Sequence, residues 1–390
     1  MKILIHADNL KINGMVKSLI NFATLLSVDN EVDIVLFEKT GDLFETVPKN
    51  ISIFECGDVS SFYRGQAVLA GQGKIGRIKG IIKKILISLG VRNIWYDLRY
   101  KKMKQNINKL KRLNGYDVAI CFDAQGLFNL EYVLKCVDAE TKLCLFHQDI
   151  YNTCVNKEMM ECFKQYDKIL GVSKSCAKKI QDKYPFLENI DYLYNCQDVK
   201  TIIEKSKEEM DIAFDKDKLN IVSVARLDKQ KNMGRFVKVL KALNNNNGYN
   251  YNCYIIGDGY EREKIQKYIE KRKLSNVFLL GSKANPYKYI KECDLFVLPS
   301  MFEACPMVYA EAMTLGVPVL STDTCSAHEI LDDWGFICEN SEKGIYSSLK
   351  GLLENPSKID KKKEKIEQEY QFSNEEIIQR FYNLVKRSKK

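Results

Sequence analysis

FEACPMVYAEAMTLGVPVL, residues 302–320, decides how this chain folds and where its chemistry sits. Two carboxylates, Glu303 and Glu311, lie eight positions apart in it. DLFVLPS, just upstream, has the continuous apolar run of a buried strand. Pro306 suits the first turn of a helix, where its missing N–H costs nothing. Gly316 reads as the helix stop, with Pro318 just beyond it. Glu303 is therefore expected on a loop at the carboxyl end of a strand, and Glu311 inside the following helix. In an open parallel sheet that edge is where ligands bind. The helix start offers N–H groups and partial positive charge, which suit a phosphate. The carboxylates suit hydrogen bonds from ligand hydroxyls. Phosphate cradle and hydroxyl acceptors together describe a nucleotide-sugar.

Working outward, strands and helices alternate on both sides of this stretch. IVSVA upstream reads as a strand, with Arg226 and Lys231 in the loop after it. Two cations at a strand end can grip a diphosphate, Arg bidentately and Lys as a point charge. A solvated pair of surface charges would look the same in isolation. The Gly-Asp-Gly turn at 257–259 is not a dinucleotide fingerprint, because Arg262 stands where the third glycine would be. NVFLLGS and PVLSTD complete a second α/β series.

The first series opens with KILIHAD and a helix from near Val16, with Gly14 at the junction. Gly14 allows close backbone approach to a ligand, or simply a turn. DVAICFD, KLCLFHQD and DKILGVS are further buried strands, and Ser173 reads as a helix cap. His147 falls at the carboxyl end of its strand, on the same edge as Gly14. A second basic helix is predicted over residues 94–113. The boundary falls near Cys196. The expected division is residues 1–195 and 196–371, with a last helix at about 372–390 capped by Ser373.

With 390 residues and 45% hydrophobic content, the chain is large enough for two globular domains. Its 13 cysteines include no CxxC pair, which argues against zinc ribbons, thioredoxin-type sites and a disulfide framework. MKILIHADN reads as a strand rather than a signal peptide. No uncharged apolar run reaches the roughly 18 residues of a spanning helix. A cytoplasmic protein is expected, peripheral on the inner face of the membrane. Lys74–Arg112 carries 13 Lys and Arg against one acid, Asp97, in a chain of formal net charge +9. Apolar residues from Ile75 to Leu89 recur there at helical spacing. Two readings stand: a basic amphipathic helix on an anionic membrane, or a solvated basic face. No nucleic-acid motif accompanies the charge.

ARLDKQKN, IIGDGYEREKI, DLFVLPSMFEACPMVYAEAMTLGVPVL and HEIL, in this order, resemble the retaining GT-B glycosyltransferases of family 4. The resemblance implies an α/β chain of two Rossmann-like domains facing across a cleft. The acceptor would bind the first domain and the donor the second, with the last helix crossing back. It also implies site roles. Arg226 and Lys231 would hold the donor diphosphate, and Glu311 the ribose. Glu303 would contact the transferred sugar, beneath the backbone of Cys305, Pro306, Met307 and Val308. His147 would be the active-site histidine, and Gly14 part of the amino-terminal glycine loop. Ala304 stands where the family usually has Gly, so its backbone must keep φ negative or accept strain. His328 replaces part of a Gly-rich stretch, and a surface role is expected for it.

The function expected from these readings is retaining transfer of a hexosyl-type sugar from a nucleotide-sugar, with a UDP-sugar as the expected donor. The acceptor would be lipid-linked or polysaccharide, in assembly of capsule, exopolysaccharide or lipopolysaccharide. No cofactor or metal is expected, since Arg226 and Lys231 would stand in for a cation. Two other classes share parts of the pattern. A GT-B-type sugar-nucleotide epimerase would need the diphosphate pair but no acceptor surface. A non-catalytic partner subunit would tolerate loss of Glu303 and Arg226.

Overall fold

The computed structural model describes residues 1–57, 106–153, 155–245 and 248–388. The predicted basic helices lie outside these residues up to position 105.

In the first half, β1 (Lys2–Ala7), β2 (Glu31–Leu36), β3 (Ser52–Glu55), β4 (Leu113–Cys121), β5 (Val137–Phe146), β6 (Lys168–Gly171) and β7 (Ile190–Tyr192) build one sheet. Its order is β3-β2-β1-β4-β5-β6-β7, and every neighbouring pair is parallel. The strands are apolar runs because both faces of a parallel sheet are covered. Thus β1 buries every residue from Ile3 to Ala7. Among its covering helices, α1 (Gly14–Leu26) buries Val16, Leu19, Ile20, Ala23 and Leu26, an apolar stripe at helical spacing. The Asn13 side chain accepts from Val16 N (3.0 Å), so α1 starts two residues earlier than its apolar periodicity suggests. Among the described residues of this half, further helices are α2 (Leu127–Cys136), α3 (Lys157–Phe163) and α4 (Lys174–Lys183).

Leu113 corrects one expectation. It opens β4, paired with Val137, and does not end a basic helix. The ladder runs on through exposed Asn114 and Gly115, where apolar alternation is lost and the register shifts before Tyr116. Pattern reading is blind to such a polar strand end.

The second half begins with α5 (Val199–Ser206), whose Ile202 packs with Val222, Tyr289 and Ala312. Its strands are β8 (Leu219–Val224), β9 (Tyr251–Ile256), β10 (Val277–Gly281), β11 (Leu295–Leu298), β12 (Val319–Thr322) and β13 (Phe336–Cys338). They form a parallel sheet in the order β10-β9-β8-β11-β12-β13. Helices α6 (Met233–Asn245), α7 (Arg262–Lys271), α8 (Tyr287–Lys291), α9 (Met307–Thr314), α10 (Ala327–Leu331), α11 (Glu342–Glu354) and α12 (Ser357–Glu369) complete it.

The last helix, α13 (Asn374–Ser388), returns to the first half. Ile377, Phe381, Leu384 and Val385 are buried with Leu19 and Phe22 of α1. The Phe381 ring meets Phe22 edge-on at 5.3 Å. Arg380 lies over the Tyr192 ring and pairs with Asp191. Both sheets reverse their strand order beside the first strand of each half, between β1 and β4 and between β8 and β11. The loops after these strands flank the crevice where a doubly wound sheet binds ligands.

Candidate active site

The loop after β8 carries the two cations. It is shaped by the Gly-Asp-Gly turn behind it. Leu227 N donates to Asp258 O (2.9 Å), and Glu261 N donates to Leu227 O (3.0 Å). A Cβ on Gly257 would stand 1.9 Å from Ala225 O, with φ already at +145°. Only glycine allows the two loops to approach this closely. Asn232, at φ +55°, ends the loop in the left-handed region that Asn tolerates.

The loop after β11 is tied to it. Met301 N donates to Gln230 O (2.8 Å), and Gln230 Nε2 donates to Phe302 O (3.1 Å). This pairing sets Lys231 Nζ 2.5 Å from Glu303 Oε1, with both side chains largely buried. Arg226 lies further out, against Asp228 Oδ2 (3.1 Å) and Gln230 Oε1 (3.3 Å). Each cation thus faces a carboxylate of its own.

Glu311 is buried in α9. It accepts from Tyr287 OH (3.4 Å) and lies 3.7 Å from Lys17 Nζ of α1, in the other half of the chain. Lys17 Nζ also reaches Tyr287 OH (3.4 Å). Burial, then the Glu311 carboxylate, pushes the Tyr287 phenol well above its ordinary range. Gly14 faces α9 as well: a Cβ there would lie 3.5 Å from Met307 Cγ.

Pro306 differs from expectation. It precedes α9 in an extended conformation, and its carbonyl accepts from Tyr309 N (3.2 Å), so Met307 opens the helix. Ala304 carries no strain: among the described residues only Asn232 and Lys273 are non-glycines at positive φ. Its methyl is buried with the first half's core, beside Val172 and Cys176.

His147 sits just beyond β5, its ring 4.9 Å from Phe122. Burial pushes its pKa down to about 3, against a smaller opposing effect of the Phe122 backbone, so the imidazole is neutral near pH 7. Its Nε2 is buried without a hydrogen-bond partner, which is costly unless a ligand supplies one. His328 is exposed beside Asp332 and Asp323, a surface position.

Several residues at the cleft escaped sequence reading. Lys17 looks like the solvated side of α1, and Tyr287 like an ordinary helix start. Asn195 and Gln197 lie between domains, where no periodicity marks them. Glu329 accepts from Lys174 N (2.9 Å), Ser175 N (2.7 Å), Ser175 Oγ (2.5 Å) and Tyr194 OH. It caps α4 from the opposite half. Burial opposes its charge, but these hydrogen bonds prevail and hold its carboxyl below the usual glutamate range. Among the described residues, no group of three or more His, Cys, Asp or Glu is placed to hold a metal ion. No helix among them is long and apolar enough to cross a membrane.

Residues 204–371 match the family model for glycosyl transferases group 1. This segment is similar to the group 1 glycosyltransferases. A Campylobacter jejuni relative is N-acetylgalactosamine-N,N'-diacetylbacillosaminyl-diphospho-undecaprenol 4-alpha-N-acetylgalactosaminyltransferase. It is 29% identical over 273 residues, 66% of this chain and 71% of the relative. The lipopolysaccharide 1,6-galactosyltransferase of Salmonella typhimurium is 27% identical over 258 residues, 64% and 68% of the two chains. Two solved structures share the fold of this chain. The lipopolysaccharide outer core galactosyltransferase WaaB superposes with a TM-score of 0.65 at 19% identity, over 99% of both chains. Anabaena HepE, in complex with UDP and glucose, gives 0.69 at 15% identity, also over 99% of both. The two-sheet GT-B architecture is thereby shown.

Proposed function

We propose that the chain is a retaining transferase that moves a hexosyl-type sugar from a UDP-sugar to a lipid-linked glycan in bacterial surface polysaccharide assembly. The observation that carries this reading is the Lys231–Glu303 pair at the switch point of the second sheet, with Glu303 four residues before α9 and eight before Glu311. The acceptor class follows from the relatives, which include a transferase named for a diphospho-undecaprenol substrate and a lipopolysaccharide galactosyltransferase.

In this reading the donor's phosphates lie against Arg226, Lys231 and the first amides of α9, which lack intrahelical carbonyl partners. Glu311 accepts from the ribose hydroxyls. Glu303 and the unpartnered Nε2 of His147 meet hydroxyls of the transferred sugar. The bond from the anomeric carbon to the diphosphate oxygen breaks, and the electrons leave with the nucleoside diphosphate. The acceptor oxygen bonds the same carbon on the same face, and its proton passes to the departing phosphate. Lys231 and Arg226 stabilise the growing phosphate charge without reorganising, as a preorganised site does. No resident metal is required in this scheme. The protein works from the cytoplasmic side of the membrane, with Lys74–Arg112 as the candidate contact to anionic lipid.

A thermal-shift screen against UDP-, GDP- and ADP-sugars identifies the donor, since a ligand of the folded state alone raises apparent stability. Transfer to a lipid-linked acceptor, with the product anomer read by NMR, then tests the reaction. An inverted anomer overturns the retaining assignment. Isomerised donor without acceptor supports the epimerase reading instead.

A further inference from the structure

Three carbonyls of the segment between the two carboxylates are gripped from outside the second sheet's own elements, by Ser173 and Asn195 of the first half and Gln197 of the inter-domain stretch. Ser173 Oγ donates to Ala304 O (3.2 Å). Asn195 Nδ2 donates to Cys305 O (3.2 Å). Gln197 Nε2 donates to Met307 O (3.1 Å). The grips are themselves held. Ser173 caps α4, accepting from Cys176 N (3.0 Å). Asn195 Oδ1 accepts from Ser18 Oγ of α1 (2.9 Å). Gln197 is fixed at both ends of its backbone by Asn374 of α13 (3.1 and 2.8 Å). Every anchor belongs to the first half, the inter-domain stretch or the returning helix.

A peptide unit is planar and trans, so its N–H points opposite to its C=O. Fixing the carbonyls of Ala304 and Met307 therefore turns the amides of Cys305 and Val308 to the opposite side. Cys305 has no such amide after it, since Pro306 follows, and its carbonyl fixes instead the extended turn into α9. We propose that Ser173, Asn195 and Gln197 are positioning residues that hold the donor loop in its working shape only while the two domains are closed. Readiness of the loop and closure of the cleft are then one event. This rests on the reading of Cys305–Val308 as the loop over the donor's sugar and phosphates. A cavity of about 500 Å³ lies behind the loop, lined in part by Asn195, Gln197, Cys305, Met307 and Glu329. It gives the loop room to shift when the grips are cut.

The test is the double variant Asn195→Ala/Gln197→Ala in the full chain, with UDP, GDP and ADP and their monophosphates as probes. The pair sharing the base that binds is used. Monophosphate affinity should stay within about twofold, because Glu311 and Tyr287 are untouched. Diphosphate affinity should fall about tenfold and kcat by at least as much, the scale of one or two ordinary hydrogen bonds. Ser173→Thr, which keeps the hydroxyl, should retain activity that Ser173→Ala loses. A lower unfolding temperature with an unchanged diphosphate-to-monophosphate ratio and unchanged kcat would overturn the inference, leaving the grips merely structural. If the unmodified chain binds none of the probes, the donor-site reading itself falls, and the inference with it.

Discussion

Lys231 and Glu303 form the contact on which the site turns. At 2.5 Å and largely buried, neither can be removed without stranding the other. Lys231→Ala should lower kcat/KM by about 10²–10³-fold, the usual cost of one preorganised donor in a dry site. Glu303→Gln keeps the shape and removes the charge, and steady-state transfer should fall while the fold, checked by circular dichroism, is retained. Full activity in either variant would remove this pair from the mechanism. The types and order of these residues are legible in the sequence, since strand-loop-helix patterning puts them on one edge. Lys17 is not legible. Its Nζ lies near Glu311 because α1 and α9 face each other across the cleft, and nothing in either helix's own pattern records that.

At the scale of elements, the loop after β8 depends on the Gly-Asp-Gly turn packed behind it. Gly257→Ala would force a Cβ against Ala225 O at a φ that L residues rarely adopt. We expect a loss of roughly 1–3 kcal/mol in stability, measured by denaturant unfolding, together with weaker nucleotide binding. Unchanged binding would show that the cation loop does not need the turn. Ala304 gives the contrasting case. Its methyl joins the first half's core, so Ala304→Gly should destabilise the chain by about 1 kcal/mol rather than relieve strain. Strand positions were readable because continuous apolar runs and turn residues are local signals. The amino ends of β4 and β5 were not, because polar residues there are held by the ladder alone.

At the scale of the molecule, the contacts of Glu329 with Lys174, Ser175 and Tyr194 predict that docking of the two halves depends on pH. Its carboxyl is held below the ordinary glutamate range, so the clamp contributes fully above that range and fades as pH falls through the lowered value. The native chain is expected to open as that carboxyl protonates, an opening followed by small-angle scattering, and Glu329→Gln should remove this pH dependence; scattering that does not change with pH in the native chain would rule the clamp out. A second titration belongs to His6. It is wholly buried on β1 against Phe37 and Tyr132, and burial lowers its pKa to about 3. The unfolded chain binds this proton below about pH 6.5 and the folded chain does not, so stability falls with acidification between about 6.5 and 3. The slope attributable to one such group is about 1.4 kcal/mol per pH unit at most. His6→Phe should reduce the slope of that part of the stability-pH curve without abolishing it, because buried His147 carries the same shift, and an unaltered slope would place the proton elsewhere.

The sequence by itself determined the two parallel sheets, their helices and the edge where Arg226, Lys231, Glu303 and Glu311 gather. These follow from period, caps and turn residues, all of which act within one or two turns of chain. Only the tertiary structure decided that Lys231 meets Glu303, that Lys17 crosses to Glu311, and that Glu329, Ser173, Asn195 and Gln197 lock one half onto the other. Those contacts join residues from 72 to 294 positions apart, measured from Lys231–Glu303 to Lys17–Glu311. They depend on how two separately patterned domains dock, which no local pattern encodes.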